Sequence, residues 1–144
     1  MKTKAPDQIL LEKIKNRSVA VAIIGMGFIG STLGQLIAKK EFHVLGIFRK
    51  KAKAIAFEKK KIPHFHATCD SSELTKADIV IITVPTLVDK KKNRPDLGPL
   101  RQTAALLKKY TKAGRLVILE STVSHGMTRD IFDLEQNFIG FSPD

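Results

Sequence analysis

Apolar residues in this chain fall into short blocks separated by charged or glycine-bearing stretches, and the blocks follow two rhythms. Residues 19–24, 42–48, 77–84 and 115–119 are nearly continuous runs of aliphatic and β-branched side chains. That pattern predicts strands buried on both faces, as in a parallel sheet. Residues 62–68 read as a third, weaker strand, placed at an edge by Pro63. Residues 138–141 read as a final one. Between them the spacing changes to the helical period. It predicts a helix over 29–40 with Leu33, Leu36 and Ile37 as its inner face, and a lysine-rich helix over 52–60. Further helices are predicted over 97–110, with Leu100, Ala104 and Leu107 inward, and over 128–136. Asp70, Ser71 and Ser72 read as a turn or cap, and 89–96 as a charged loop. Ahead of the first strand, Asp7 could cap a short helix carrying Ile9, Leu10 and Ile14 on one face; a lightly packed extension is the equal alternative.

Strands and helices therefore alternate, with about six strands. This predicts an α/β fold, a doubly wound parallel sheet of the Rossmann type, in a single domain over 18–144 behind an N-terminal extension over 1–17. The first and fourth strands, 19–24 and 78–84, are expected side by side at the centre. Ligands of such sheets bind outside the carboxyl ends of the strands. Here that rim consists of residues 25–30, Phe48-Arg49, Pro85-Thr86, Ser121-Thr122 and Asp144.

The first strand runs straight into Gly25-Met26-Gly27-Phe28-Ile29-Gly30, followed by a helix. Strand, glycine turn and helix together give a G-x-G-x-x-G its meaning. Gly25 permits the tight turn, Gly27 lets a pyrophosphate approach the backbone, and Gly30 lets the helix pack close to the strand. The amides and dipole of the helix's first turn then favour an anion.

Composition narrows the class without changing the fold. No apolar run reaches the ~20 residues of a membrane span, and MKTKAPDQ has no apolar segment of a secretory signal. The single cysteine, Cys69, excludes an intrachain disulfide and fits the cytoplasm. Nothing beside it marks an activated thiolate. His64 and His66 would share one face of a strand, but no third ligand stands nearby and no metal is expected. The net charge of +11 is concentrated at Arg49, Lys50, Lys51, Lys53 and Lys59–Lys61, and again at Lys90–Lys92 and Arg94. It favours anionic partners, whether nucleotides, nucleic acid or an acidic protein, against the preferred alternative, for most of these residues, of a solvated lysine-rich surface. No stacking aromatics interleave with the lysines, so nucleic acid is not expected.

Four stretches, in order, make the chain resemble the N-terminal cofactor domain of the UDP-glucose/GDP-mannose dehydrogenase family. They are VAIIGMGFIG (21–30), ADIVIITVPT (77–86) with PDL (95–97), LESTV (119–123) with Gly126, and GFSPD (140–144). Prephenate- and hydroxyacid-type dehydrogenases share the first strand and turn and are the nearest alternatives. The resemblance implies oxidation of the C6 alcohol of a nucleotide sugar to a carboxylate, with NAD. It also implies site residues. Gly25, Met26, Gly27, Phe28, Ile29 and Gly30 would hold the pyrophosphate, with Phe48 and Arg49 at the adenosine ribose. Val84, Pro85 and Thr86 would meet the cofactor. Ser121 and Thr122 would stand near the nicotinamide, and Asp144 takes the place of a family glutamate that handles the water of the second oxidation. Thr122 and Asp144 are thus the candidate catalytic residues.

The sequence departs from the family pattern at several places. Where the family has an acidic residue after strand two, this chain has Phe48 and then Arg49-Lys50-Lys51, which favours a 2′-phosphate or unspecific binding. The segment between Lys61 and Ser71 is short, His125 replaces a proline, Met127 replaces a threonine, and Asp144 is one methylene shorter than glutamate. The family's dimerising helix, sugar-binding domain and nucleophilic cysteine have no counterpart in these residues. The expected cofactor is therefore NAD or NADP, and the 144 residues alone are expected to be inactive. A nucleotide sugar would be reached through a further domain or partner chain, with a homodimer left open. The alternative is a non-catalytic module that binds NADP or another nucleotide.

Overall fold

The computed structural model describes residues 3–120, 131–132 and 137–142. In chain order the elements are α1 (Pro6–Lys15), β1 (Ala20–Ile24), α2 (Phe28–Lys39), β2 (His43–Ile47), α3 (Lys51–Glu58) and β3 (Phe65–Thr68). There follow a 3-10 turn (Ser71–Lys76), β4 (Ile79–Ile82), β5 (Val88–Asp89), β6 (Arg94–Pro95), α4 (Gly98–Tyr110), β7 (Leu116–Leu119) and β8 (Phe138–Phe141). Six strands form one parallel sheet in the order β3-β2-β1-β4-β7-β8, and β5 and β6 make a separate small hairpin. This is the doubly wound order, reversing direction between β1 and β4. Those two strands are central neighbours, with Val21 opposite Ile79 and Ile24 opposite Ile82.

Because side chains alternate across a strand, the apolar runs feed two layers. Ala22, Ile24, Val80, Ile82, Val117 and Leu119 face one side, where Leu74, Leu100, Ala104, Leu107 and Phe132 cover them. Val21, Ile23, Val44, Ile79 and Ile81 face the other, packed with Ala38, Ala54, Phe57 and Phe65. Leu10 and Ile14 of α1 rest on this second layer, so the first residues pack onto the sheet.

Several expectations are corrected. On α2 the stripe toward the sheet is Gly30, Gly34 and Ala38, while Leu36 is 58% exposed and Leu33 and Ile37 are only partly buried. Small residues at i, i+4 and i+8 allow close approach; a Cβ on Gly34 would lie 2.7 Å from the Phe65 ring. The N-cap of α1 is Ala5, not Asp7, because Pro6 occupies the first turn; Asp7 lies inside that turn, and Ile9 is exposed. His64 precedes β3 with φ 64° and lies edge-on to His43 at 5.7 Å, whereas His66 meets Glu58, so the two histidines do not share a site. Residues 89–96 hold a two-strand hairpin rather than an open loop. Of the helix expected over 128–136, only Ile131 and Phe132 are described: Ile131 is helical and Phe132 is buried. No described helix is long and apolar enough to cross a membrane.

Candidate functional site

At the carboxyl end of β1 the chain turns at Gly25, whose φ of 95° lies in the left-handed region. A Cβ there would also stand 2.7 Å from the Thr83 backbone, so only glycine fits. Thr83, just past β4, fixes the turn: its hydroxyl donates to the Gly25 carbonyl at 2.6 Å, and its amide to the Ile24 carbonyl at 2.8 Å. Gly30 sits behind the turn, where a Cβ would come within 2.2 Å of the Gly25 oxygen. It packs α2 onto β1 and does not line the cleft.

Gly27 differs from both. It is the N-cap of α2, offers no side-chain cap, and a Cβ on it would meet nothing within 4 Å. The first-turn amides of α2 therefore open onto free space, the arrangement a pyrophosphate uses at a helix N-terminus. The residues present fit such a group.

That space is part of a cleft of about 840 Å³ along the carboxyl rim. Gly25, Met26, Gly27, Phe28 and Ile29 line it from the turn; Ile47, Phe48, Arg49, Lys50 and Lys53 from β2 and α3; Thr83, Val84, Pro85 and Thr86 from β4; and Glu120 from β7. The structure thus brings together every described site residue expected from the sequence except Gly30. Ser121, Thr122 and Asp144 lie outside the described residues. Phe28 is 87% exposed and forms the lip.

Phe48 lines the cleft beside Arg49. Its ring is buried and packs on Phe57 at 5.4 Å, so its side chain belongs to the core as well as to the cleft wall. Sequence reasoning missed Lys53, Thr83, Ile47 and Glu120. Thr83 was hidden inside an apolar run, and Lys53 inside a run of lysines. Lys51 lines a separate groove with Ala54, Ile55 and Cys69. Among the described residues the cleft can therefore supply backbone donors, a helix N-terminus, three cations and one carboxylate.

Comparison with known proteins agrees with this geometry. The profile of the UDP-glucose/GDP-mannose dehydrogenase family, NAD binding domain, matches residues 19–138. The chain is 32% identical to the UDP-N-acetyl-D-glucosamine 6-dehydrogenase of Pseudomonas aeruginosa, over 79% of this chain and 30% of that protein. It is 30% identical to the UDP-N-acetyl-D-mannosamine dehydrogenase of Methanocaldococcus jannaschii, over 78% and 30%. It thus spans about a third of the length of the curated relatives it matches. Its fold superposes on the GDP-mannose dehydrogenase of Pseudomonas aeruginosa with a TM-score of 0.76 at 17% identity, covering 86% of this chain and 36% of that one. The matched profile runs from β1 through the glycine turn and the cleft-lining residues to the start of β8, and the chain belongs to the UDP-glucose/GDP-mannose dehydrogenase family, over that family's NAD binding domain.

Proposed function

We propose that the cleft binds a nicotinamide dinucleotide, NAD or NADP, and acts as the cofactor half of a nucleotide-sugar 6-dehydrogenase. The observation that carries this reading is the open backbone at Gly27, at the mouth of a cleft whose other wall is cationic. The first-turn amides of α2 bind the pyrophosphate, and Thr83 keeps the glycine turn in shape to present them. Arg49, Lys50 and Lys53 flank the adenosine ribose, and Val84, Pro85 and Thr86 form the wall on the nicotinamide side. The bound dinucleotide supplies hydride acceptance, and the protein supplies position. Thr122 near the nicotinamide and Asp144 toward the substrate water are assigned through the family pattern.

The sugar is held by a further domain or partner chain, because alcohol and nicotinamide must meet in one near-attack geometry. We take 18–144 as the cofactor domain and 1–17 as an extension fastened through Leu10 and Ile14. A cytoplasmic setting belongs to the same reading, supported by the single cysteine.

Calorimetric titration of NAD and NADP into the parent chain and Gly27→Val tests the proposal. The parent is expected to bind at least one dinucleotide below millimolar concentration, and the variant neither. Equal binding by the two proteins would refute the assignment. The 144 residues alone are expected to bind without turnover; NADH production from UDP-glucose or a UDP-N-acetylhexosamine would contradict that.

A further inference from the structure

The adenosine end of the cleft carries more charge than a dinucleotide's ribose hydroxyls require. Phe48 stands just past β2, where a sheet of this kind places the carboxylate that accepts from those hydroxyls. Its ring is 8% exposed and packed on Phe57, so the position offers no acceptor and cannot recover one by a rotamer change. Arg49 follows it, and Arg49, Lys50 and Lys53 all line the cleft and are exposed.

None of the three has a carboxylate partner among the described residues, whereas Lys4, Lys13, Arg17, Lys76 and Arg115 each do. The acids nearest in sequence are already engaged. Glu41 pairs with Arg17, Glu58 accepts from the Ala67 amide at 2.6 Å and contacts His66, and Asp70 accepts from both the amide and the hydroxyl of Ser72. Glu120 lies at the end of β7, three strand spacings from β2, or about 14 Å away. Lys51, in the same basic run, turns to a different groove, so the cleft collects particular members of the run.

We infer that Arg49, Lys50 and Lys53 form a phosphomonoester subsite that selects the 2′-phosphorylated dinucleotide over NAD. The inference rests on the dinucleotide reading above. Arg49 supplies a planar fork that can hold a phosphate by two hydrogen bonds, and it stays charged at any working pH. Lys50 and Lys53 add point charges, and the dianionic phosphate relieves the repulsion among the three.

The test titrates NADP, NAD, 2′,5′-ADP, 5′-AMP and inorganic phosphate into the full chain at physiological salt. Variants are Arg49→Ala, Lys53→Ala and Lys51→Ala. NADP is expected to bind about tenfold or more tightly than NAD, the worth of one charge-assisted hydrogen bond. Arg49→Ala should bring the two close to parity by weakening NADP several-fold more than NAD. Lys53→Ala should narrow the ratio partly, and Lys51→Ala should leave it alone.

Equal affinities, tighter NAD, or a preference that survives Arg49→Ala would overturn the subsite and leave the dinucleotide reading standing. If neither dinucleotide binds but 2′,5′-ADP outcompetes 5′-AMP through Arg49, the subsite stands and the dinucleotide reading falls. If nothing binds, both fall. Displacement of 2′,5′-ADP by equimolar inorganic phosphate would reduce the cluster to an unselective anion patch and overturn the inference.

Discussion

At the amino-end rim of the sheet Asp78 is 4% exposed and accepts from the Lys13 ammonium at 2.8 Å, the Ala20 amide at 3.0 Å and the Arg115 guanidinium. At the carboxyl-end rim Arg49, Lys50 and Lys53 stand exposed around one cleft, with no carboxylate bonded to them among the described residues. The first arrangement is closed. One buried carboxylate is shared by two cations and a backbone amide, and it ties α1, β1, β4 and the residue before β7 together. The second is open, with donors and cations in excess of acceptors. A charged group left unmatched by its own chain is available to a ligand, while a matched one contributes to folding. The two rims of the same sheet therefore separate stability from binding, and substitutions at each should have different consequences.

The largest expected effect lies where the open rim borrows from the fold. Gly30→Val would drive a Cβ to 2.2 Å from the Gly25 oxygen and 2.6 Å from the Thr83 hydroxyl. Backbone cannot yield there cheaply, so a loss of more than about 4 kcal/mol, enough to unfold many domains, is expected. Urea unfolding followed by circular dichroism checks it; a midpoint close to that of the parent would show that the turn is not so tightly packed.

Asp78→Ala comes next. It leaves Lys13 and Arg115 without their shared carboxylate and the Ala20 amide without an acceptor. Breaking a buried pair from one side costs about 3 kcal/mol. Dinucleotide affinity, measured where the variant is folded, should stay within about twofold of the parent, well under 1.4 kcal/mol. A tenfold loss would mean the rims are coupled.

Acid tests the same network. Burial pushes the Asp78 carboxyl up, but the Lys13 ammonium, the Ala20 amide and the Arg115 guanidinium outweigh it and hold it below its ordinary 3.8. A depressed folded value stabilises above the unfolded one, so this contribution is complete above about pH 5 and is lost as pH falls through the folded value. The melting temperature of the parent should fall below about pH 4, and Asp78→Asn should show a shallower fall. Identical slopes would remove Asp78 from the account. Lys13→Ala should cost less than about 1 kcal/mol, because that side chain is 39% exposed and Arg115 still faces Asp78. It should loosen α1 first, visible as faster amide exchange over 6–15.

Much of this contrast can be read from the sequence, though unevenly. The runs at 19–24 and 77–84 place β1 and β4 at the centre, because continuous apolar side chains must be covered on both faces. The glycine turn and its neighbours across the rim follow from the strand order. What escaped had weak or misleading signals. Leu36 looks like a core residue by periodicity, but the contact stripe of α2 is Gly30, Gly34 and Ala38, whose small side chains barely register as hydrophobic. Asp78 sits at the head of an apolar run, and nothing local reveals partners 65 and 37 residues away. Phe48 is correctly placed after β2, but only the structure shows its ring turned into the core. Charge composition alone could not show that Lys53 faces the cleft while Lys51 faces away.

The separation of the two rims is tested most directly by the melting temperature of the parent and of Gly27→Val, each with and without dinucleotide. A side chain at Gly27 meets no protein atom within 4 Å at its Cβ, and as the N-cap of α2 the position loses only the preference of glycine over valine, so the ligand-free melting temperatures should agree within about 5 °C. Dinucleotide at ten times its dissociation constant should stabilise the parent by about 1.4 kcal/mol, an upward shift of roughly 4 °C, and leave the variant unmoved. If the variant shifts as far as the parent, or if the parent does not shift with either NAD or NADP, the carboxyl rim is not the dinucleotide site.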